Sequence, residues 1–281
     1  MKGRFLNEQT MEYFEKHLRE EEKSKNTTRK YLRDVRAFMA CLNGAEVTKG
    51  SVIAYKNRLI NENYAVRSIN SMLASLNTLF SFLGWSDCRV KSIKLQRQLY
   101  CPEEKELTRE EYTRLCRTAE RKCNERLCLI LQTICGTGIR VSELQCITVE
   151  AVKHGEATVS LKGKTRSVFI VKELKQKLLR YAAEQGIKGG MIFVTRTGKP
   201  ISRTNIWREM KEICKLADVD DRKVFPHNLR HLFAQCFYAL EKDIAKLADI
   251  LGHQSIETTR IYIKSTGEEH LKQLEKMKLI L

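Results

Sequence analysis

The chain has no apolar run of about 20 residues, the length needed to cross a bilayer. Nor does it open on a signal peptide, because Phe5 and Leu6 give way at once to polar residues. A membrane partner is therefore not expected, and the cytoplasm is the expected location. No C-x-x-C pair occurs, no internal repeat or low-complexity segment is visible, and no carboxylate cluster stands out that would hold magnesium. The ten cysteines lie mostly in apolar runs, as Cys135 and Cys236 do, and read as small buried hydrophobes in a reducing compartment. Cys116, Cys123 and Cys128 come nearest to a cluster, but their spacing fits no usual zinc pattern and no histidine lies nearby. Neither a metal nor any other cofactor is expected.

What is abundant is positive charge: 51 Lys and Arg stand against 34 Asp and Glu, a formal net charge of +17. Such an excess favours a polyanionic partner, with nucleic acid ahead of a membrane surface. At 281 residues the chain is comfortable for two domains.

Hydrophobic periodicity predicts a mainly α fold with a small β-sheet. Residues 1–88 read as a small four-helix domain. Met11, Phe14 and Leu18 mark the first helix; Tyr31, Val35, Phe38 and Leu42 the second, capped at Asn26 or Thr27; Val52, Tyr55 and Leu59 the third, starting near Thr48; and Ile69 to Leu83 the fourth, capped at Ser68. Over residues 89–106 the period fades and Pro102 interrupts, as in an interdomain linker. The second domain, residues 107–281, opens on a Thr108/Glu111 capping box with helix through Leu131. Ala157–Leu161 and Ser167–Val171 alternate like a β-hairpin around the basic tip Lys162-Gly163-Lys164-Thr165-Arg166. Helical pattern resumes from Ser202 to the end, with breaks at Gly252 and Gly267, and Glu268 to Leu281 reads as a tail helix.

Taken singly, the residues that could carry chemistry are ordinary. Arg140 follows a glycine-containing turn, Lys162 sits at a hairpin tip, and His227 and Arg230 share one helix face at a spacing of three. His253 fits a helix cap, and Tyr262 a half-buried tyrosine. Their order changes the odds. "GTGIRVSEL", "LKGKTRSVF", "PHNLRHLFA" and "LGHQSIETTRIY" follow one another, and this succession resembles the tyrosine recombinases and phage integrases, within them the compact Xer-like members.

The resemblance covers Thr108 to Tyr262 and, more loosely, Met11 to Trp85. It implies a SAM-like core-binding domain followed by an α+β catalytic domain. It further implies that Arg140, Lys162, His227, Arg230 and His253 surround a Tyr262 nucleophile, with Glu143 supporting Arg140. Lys164 lies two residues from Lys162 on the same strand face and competes for the lysine role; the family's K-G pattern favours Lys162. Ile139 and Leu232 stand where leucine and threonine are common, and neither removes a functional group.

These groups suit phosphoryl transfer. Two guanidinium forks match the oxygens of a phosphodiester as charge grows in the transition state. Either histidine can exchange a proton with the phenol, whose free pKa of about 10 demands help. A lysine can protonate the leaving hydroxyl. The implied reaction runs through a 3′-phosphotyrosyl ester, without metal or ATP, and exchanges strands through a Holliday junction in a homotetramer on paired double-stranded half-sites.

Arg29, Lys30, Arg33 and Arg36 on the second helix, with Lys164, are candidate phosphate contacts; a solvated helix face is nearly as good a reading of the helix residues. The tail's Leu271, Leu274 and Leu281 suit either docking on a neighbouring protomer, the tail exchange that the resemblance implies, or packing on their own domain. A type IB topoisomerase shares the catalytic groups, but the short helical first domain and the tail favour a recombinase. An inactive DNA-binding regulator is disfavoured by the intact residue set. Little room before Met11 is expected for an arm-binding domain. Element integration or excision, chromosome-dimer resolution and segment inversion would all use these residues.

Overall fold

The computed structural model describes residues 3–94, 106–161, 164–263 and 275–276. The chain is mostly helical with one small sheet and divides into two compact units, Met1–Arg97 and Gln98–Leu281. Among the described residues no helix is long and apolar enough to cross a membrane.

The first unit is built from α1 (Glu8–Glu20), α2 (Lys25–Leu42), α3 (Lys49–Asn61) and α4 (Val66–Phe82). Each helix turns one apolar stripe inward: Met11, Phe14 and Leu18; Val35 and Phe38; Val52, Tyr55 and Leu59; Ile69, Leu73, Leu76 and Phe80. Each such burial contributes about 1.5–3 kcal/mol. Two helix starts differ from the sequence reading. The α2 cap is Ser24, whose hydroxyl accepts from the Thr27 N–H, so Asn26 and Thr27 are already helical. Helix α4 begins at Val66 after Ala65, which offers no side-chain cap, and Ser68 lies inside the first turn.

The second unit opens with α5 (Arg109–Arg121), where Thr108 and Glu111 form the expected capping box. The helix expected through Leu131 is broken: Cys123 takes a left-handed φ of 53°, and Asn124 caps a separate α6 (Glu125–Thr137). Apolar periodicity ran across this turn because both helices bury residues on either side of it. Short α7 (Val149–His154) leads into β1 (Glu156–Leu161) and β2 (Lys164–Phe169), an antiparallel pair with Leu161 opposite Lys164. Lys164, Thr165 and Arg166, read as part of the tip, therefore belong to the strand. Cross-strand pairing holds them there, with Arg166 opposite Val159.

Then follow α8 (Lys172–Glu184), α9 (Arg203–Cys214), α10 (Pro226–Glu241), α11 (Ile244–Leu251) and α12 (Ile256–Arg260). Breaks after Cys214 and Glu241 add to the expected one at Gly252; Gly267 lies outside the described residues. Pro226 sits at the first position of α10, where its missing N–H costs nothing. The core joins α5, α6, α7, the hairpin, α8, α9 and α10 through residues such as Leu115, Ile130, Ile134, Val168, Leu178, Met210 and Leu229. Cys116, Cys128 and Cys214 are buried as expected, but Cys123 and Cys236 are exposed and Cys135 is only partly covered. Cys123 sits in the turn after α5, and Cys236 on an open face of α10.

Candidate active site

The site forms where α6, the hairpin, α10, α11 and α12 meet. Helix α6 stops at Gly138, whose φ of 65° suits glycine and whose Cβ, if present, would lie 2.6 Å from a Phe233 ring carbon. The turn that follows presents Arg140 and Glu143. Arg140 donates its own N–H (2.9 Å) and Nη1 (2.8 Å) to the Glu143 carboxylate, which is only 4% exposed. The same carboxylate accepts from Arg166 Nη2 at 2.6 Å.

His227 and Arg230 come from the first turns of α10. Arg230 is buried, 1% exposed, and donates to the Gly138 carbonyl at 2.5 Å, the Leu251 carbonyl at 2.6 Å and His253 Nε2 at 3.0 Å. Among the described residues its Nε–H has no hydrogen-bond partner. Burial, then the neighbouring Arg140, lowers its pKa to about 10, so it remains charged at neutral pH.

Three consecutive carbonyls at the end of α11 thus meet three guanidiniums: Ile250 accepts from Arg166 at 3.0 Å, Leu251 from Arg230, and Gly252 from Arg140 at 3.4 Å. A helix end leaves its last carbonyls without intrahelical partners and carries partial negative charge, which explains why cations gather there. Gly252 has φ 63°, and a Cβ on it would lie 2.4 Å from Arg166 Cδ.

Tyr262 is 6% exposed, and its hydroxyl lies 3.1 Å from His227 Nε2. Its ring stacks on His231 at 4.1 Å and lies 5.1 Å from His253. Arginine can only donate, so His253 Nε2 accepts from Arg230, and the ring proton belongs on Nδ1, facing buried Thr259 Oγ1 at 2.9 Å. Burial and then Arg230 press the His253 pKa down to about 4, and burial and then His227 do the same for His231. His227 is accessible from outside, yet desolvation of its ring, followed by Arg230 and Arg140, lowers its pKa too. All three imidazoles are accordingly neutral near pH 7. His227 is the one whose nitrogen reaches the phenol.

The structure therefore brings together Arg140, Glu143, His227, Arg230, His253 and Tyr262. Lys162 and the tail from Glu268 to Leu281 lie outside the described residues, apart from helical 275–276. Lys164 opens β2. Among the expected phosphate contacts, Arg29 is exposed, and Arg33 and Arg36 keep largely open side chains near Asp34 and Glu8. Lys30 instead turns inward, bonded to the Ser71 carbonyl, Ser75 Oγ and buried Asp34 at 2.8 Å. Asp34 one turn along the helix was the available signal.

Arg166, His231 and Thr259 are the contributors that sequence reasoning passed over. His231 was visible as the i+4 partner of His227. Thr259, three residues before Tyr262, had the same kind of signal, whereas Arg166 had none beyond its charge. Among the described residues no group of three or more His, Cys, Asp or Glu is placed to hold a metal.

Residues 105–269 match the phage integrase family, and residues 11–87 match the phage integrase N-terminal SAM-like domain. The chain is 30% identical to tyrosine recombinase XerA of Pyrococcus furiosus over 97% of this chain and 95% of that one. It is 28% identical to XerD of Haemophilus influenzae, covering 89% and 91%. A crystal structure of a lambda integrase(75-356) dimer bound to a COC' core site shares the fold, with a TM-score of 0.75 at 19% identity over 94% of this chain and 96% of that one. Family matches thus cover most of both units, and the protein belongs to the phage integrase family of tyrosine recombinases.

Proposed function

We propose that this site-specific tyrosine recombinase cuts and rejoins double-stranded DNA through Tyr262, and that the roles fall to the residues gathered around it. The observation that carries the reading is the Tyr262 hydroxyl 3.1 Å from His227 Nε2, beside two arginines and a second histidine, His253. Neutral His227 accepts the phenol proton as Oη attacks phosphorus. Arg140 and Arg230 neutralise the non-bridging oxygens, Glu143 orients Arg140, and His253 completes the cradle. The P–O5′ bond breaks, Lys162 supplies the proton to the departing 5′-hydroxyl, and a 3′-phosphotyrosyl ester keeps the energy of the broken bond. A 5′-hydroxyl from a second strand then reverses the attack, so neither ATP nor a metal ion takes part and exchange proceeds through a Holliday junction.

Residues 1–88 act as the core-binding domain, joined by residues 89–106 to a catalytic domain over residues 107–281. Arg29, Arg33, Arg36 and Lys164 contact phosphates. The lambda integrase neighbour is a dimer on its core site, which supports paired half-sites and a homotetramer on synapsed DNA here, linked by exchange of the C-terminal tail. Such an enzyme works in the cytoplasm.

Tyr262→Phe tests the reading: it is expected to bind its DNA site almost as the parent does, while forming no detergent-resistant protein–DNA adduct, and the parent's adduct is expected to persist in excess EDTA. An adduct formed by the phenylalanine variant would overturn the assignment.

A further inference from the structure

We infer that Arg166 is a positioning residue for strand cleavage: by holding the shared Glu143 carboxylate and the end of α11, it sets the direction in which Arg140 meets the phosphate. The inference rests on the reading of Tyr262 as the nucleophile.

Arg166 leaves β2 with its side chain 13% exposed, and both Nη atoms are directed into protein, one to Glu143 and one to the Ile250 carbonyl. It is thereby turned away from the role of phosphate ligand. Desolvation lowers its pKa and Glu143 opposes that shift, as expected for a buried cation kept charged by its carboxylate. Glu143 Oε2 is divided between Arg166 and the Arg140 N–H, while Oε1 takes Arg140 Nη1.

Without Arg166 the carboxylate loses its shortest contact and is free to rotate toward Arg140 alone, carrying that guanidinium with it. The Ile250 carbonyl loses its donor at the same time, two residues before the Gly252 carbonyl on which Arg140 also leans. Both supports of the Arg140 fork therefore pass through one side chain on the hairpin. Gly252 belongs to the same device, since any Cβ there would strike the Arg166 stem.

The test compares cleavage of a DNA site carrying an ordinary scissile phosphodiester with one carrying a methylphosphonate at that position. The neutral group removes a charge that Arg140 would otherwise have to meet. Arg166→Met is expected to slow adduct formation on the phosphodiester by about 100-fold, the scale of a misplaced catalytic group. On the methylphosphonate the loss should shrink to a few-fold, as it should for Arg140→Met. A side chain that merely stabilises the fold would depress both substrates alike, and equal losses overturn the inference. Arg166→Lys can satisfy Glu143 or Ile250 but not both, so an intermediate loss with the same substrate dependence is expected; it decides the matter if the methionine variant does not fold. Failure of the parent to form a Tyr262 adduct would sink the underlying reading instead, which separates the two.

Discussion

Replacing Glu143 by glutamine should expose how strongly the site depends on one buried carboxylate. Glu143 accepts three hydrogen bonds, from the Arg140 N–H, Arg140 Nη1 and Arg166 Nη2, at 2.9, 2.8 and 2.6 Å. Glutamine keeps the shape but turns one acceptor into an NH2 group facing a guanidinium, and it removes the charge that separates two cations. Breaking a buried ion pair by removing one partner costs about 3–5 kcal/mol. Against a total stability of about 5–15 kcal/mol that is a large fraction. In thermal terms it lowers the melting temperature of a unit this size by about 10 °C.

The assay is urea and thermal unfolding of the full chain for Glu143→Gln, Arg166→Gln and the double variant. Once Arg166 is gone the carboxylate has less to hold, so the second substitution should cost much less than it does alone, with a coupling well above the roughly 0.5 kcal/mol expected between independent sites. Additive losses, or a Glu143→Gln chain as stable as the parent, would refute the claim that the carboxylate joins the two arginines.

Acidification should weaken the fold in a defined window. His231 and His253 are pressed to about 4 in the fold, and an unfolded histidine titrates near 6.5, so the unfolded chain binds the extra protons as pH falls from about 6.5 to about 4 and stability declines there. The ceiling is about 3 kcal/mol per histidine, reduced by solvent screening. A urea midpoint that stays level between pH 7 and pH 5 would contradict this, and His253→Gln should flatten the slope. Gly252→Ala should cost more stability than Gly44→Ala, because both place alanine at positive φ but only at Gly252 does the new Cβ meet a neighbour, Arg166. Equal melting shifts for the two would show that the Arg166 contact is not restrictive.

What could be read in advance follows from how each feature is encoded. His227 and Arg230 share a helix face at a spacing of three, and Glu143 stands three residues after Arg140, so local geometry places them without knowledge of the rest. The apolar stripes of α1 to α4 were equally local. Arg166 was not legible because its partners are a backbone carbonyl 84 residues away and a carboxylate 23 away, and a carbonyl has no residue identity to search for. The break between α5 and α6 escaped, despite the Asn124 cap, because the apolar period runs on across it and Cys123 has no special preference for the left-handed conformation it takes. The hairpin tip was read too long because basic residues were taken as turn, although strand pairing outweighs their charge once Val159 and Val168 pack into the core.

The site's charge balance says more about its ligand than any single residue does. Among the described residues Arg140, Arg166 and Arg230 converge with one carboxylate, Glu143, so that positive charge exceeds negative by two in a partly desolvated space. Three carbonyls ending α11 supply part of the compensation through their partial negative charge, and the histidines supply none, since burial and the arginines hold them neutral. Among the described residues no group accepts from the Nε–H of buried Arg230, although a buried donor normally finds a partner. A fold that satisfied itself would have placed another carboxylate here, and that choice would also block any anion from entering. An excess of positive charge beside the Tyr262 hydroxyl is the electrostatic setting that the proposed attack on a DNA phosphodiester calls for.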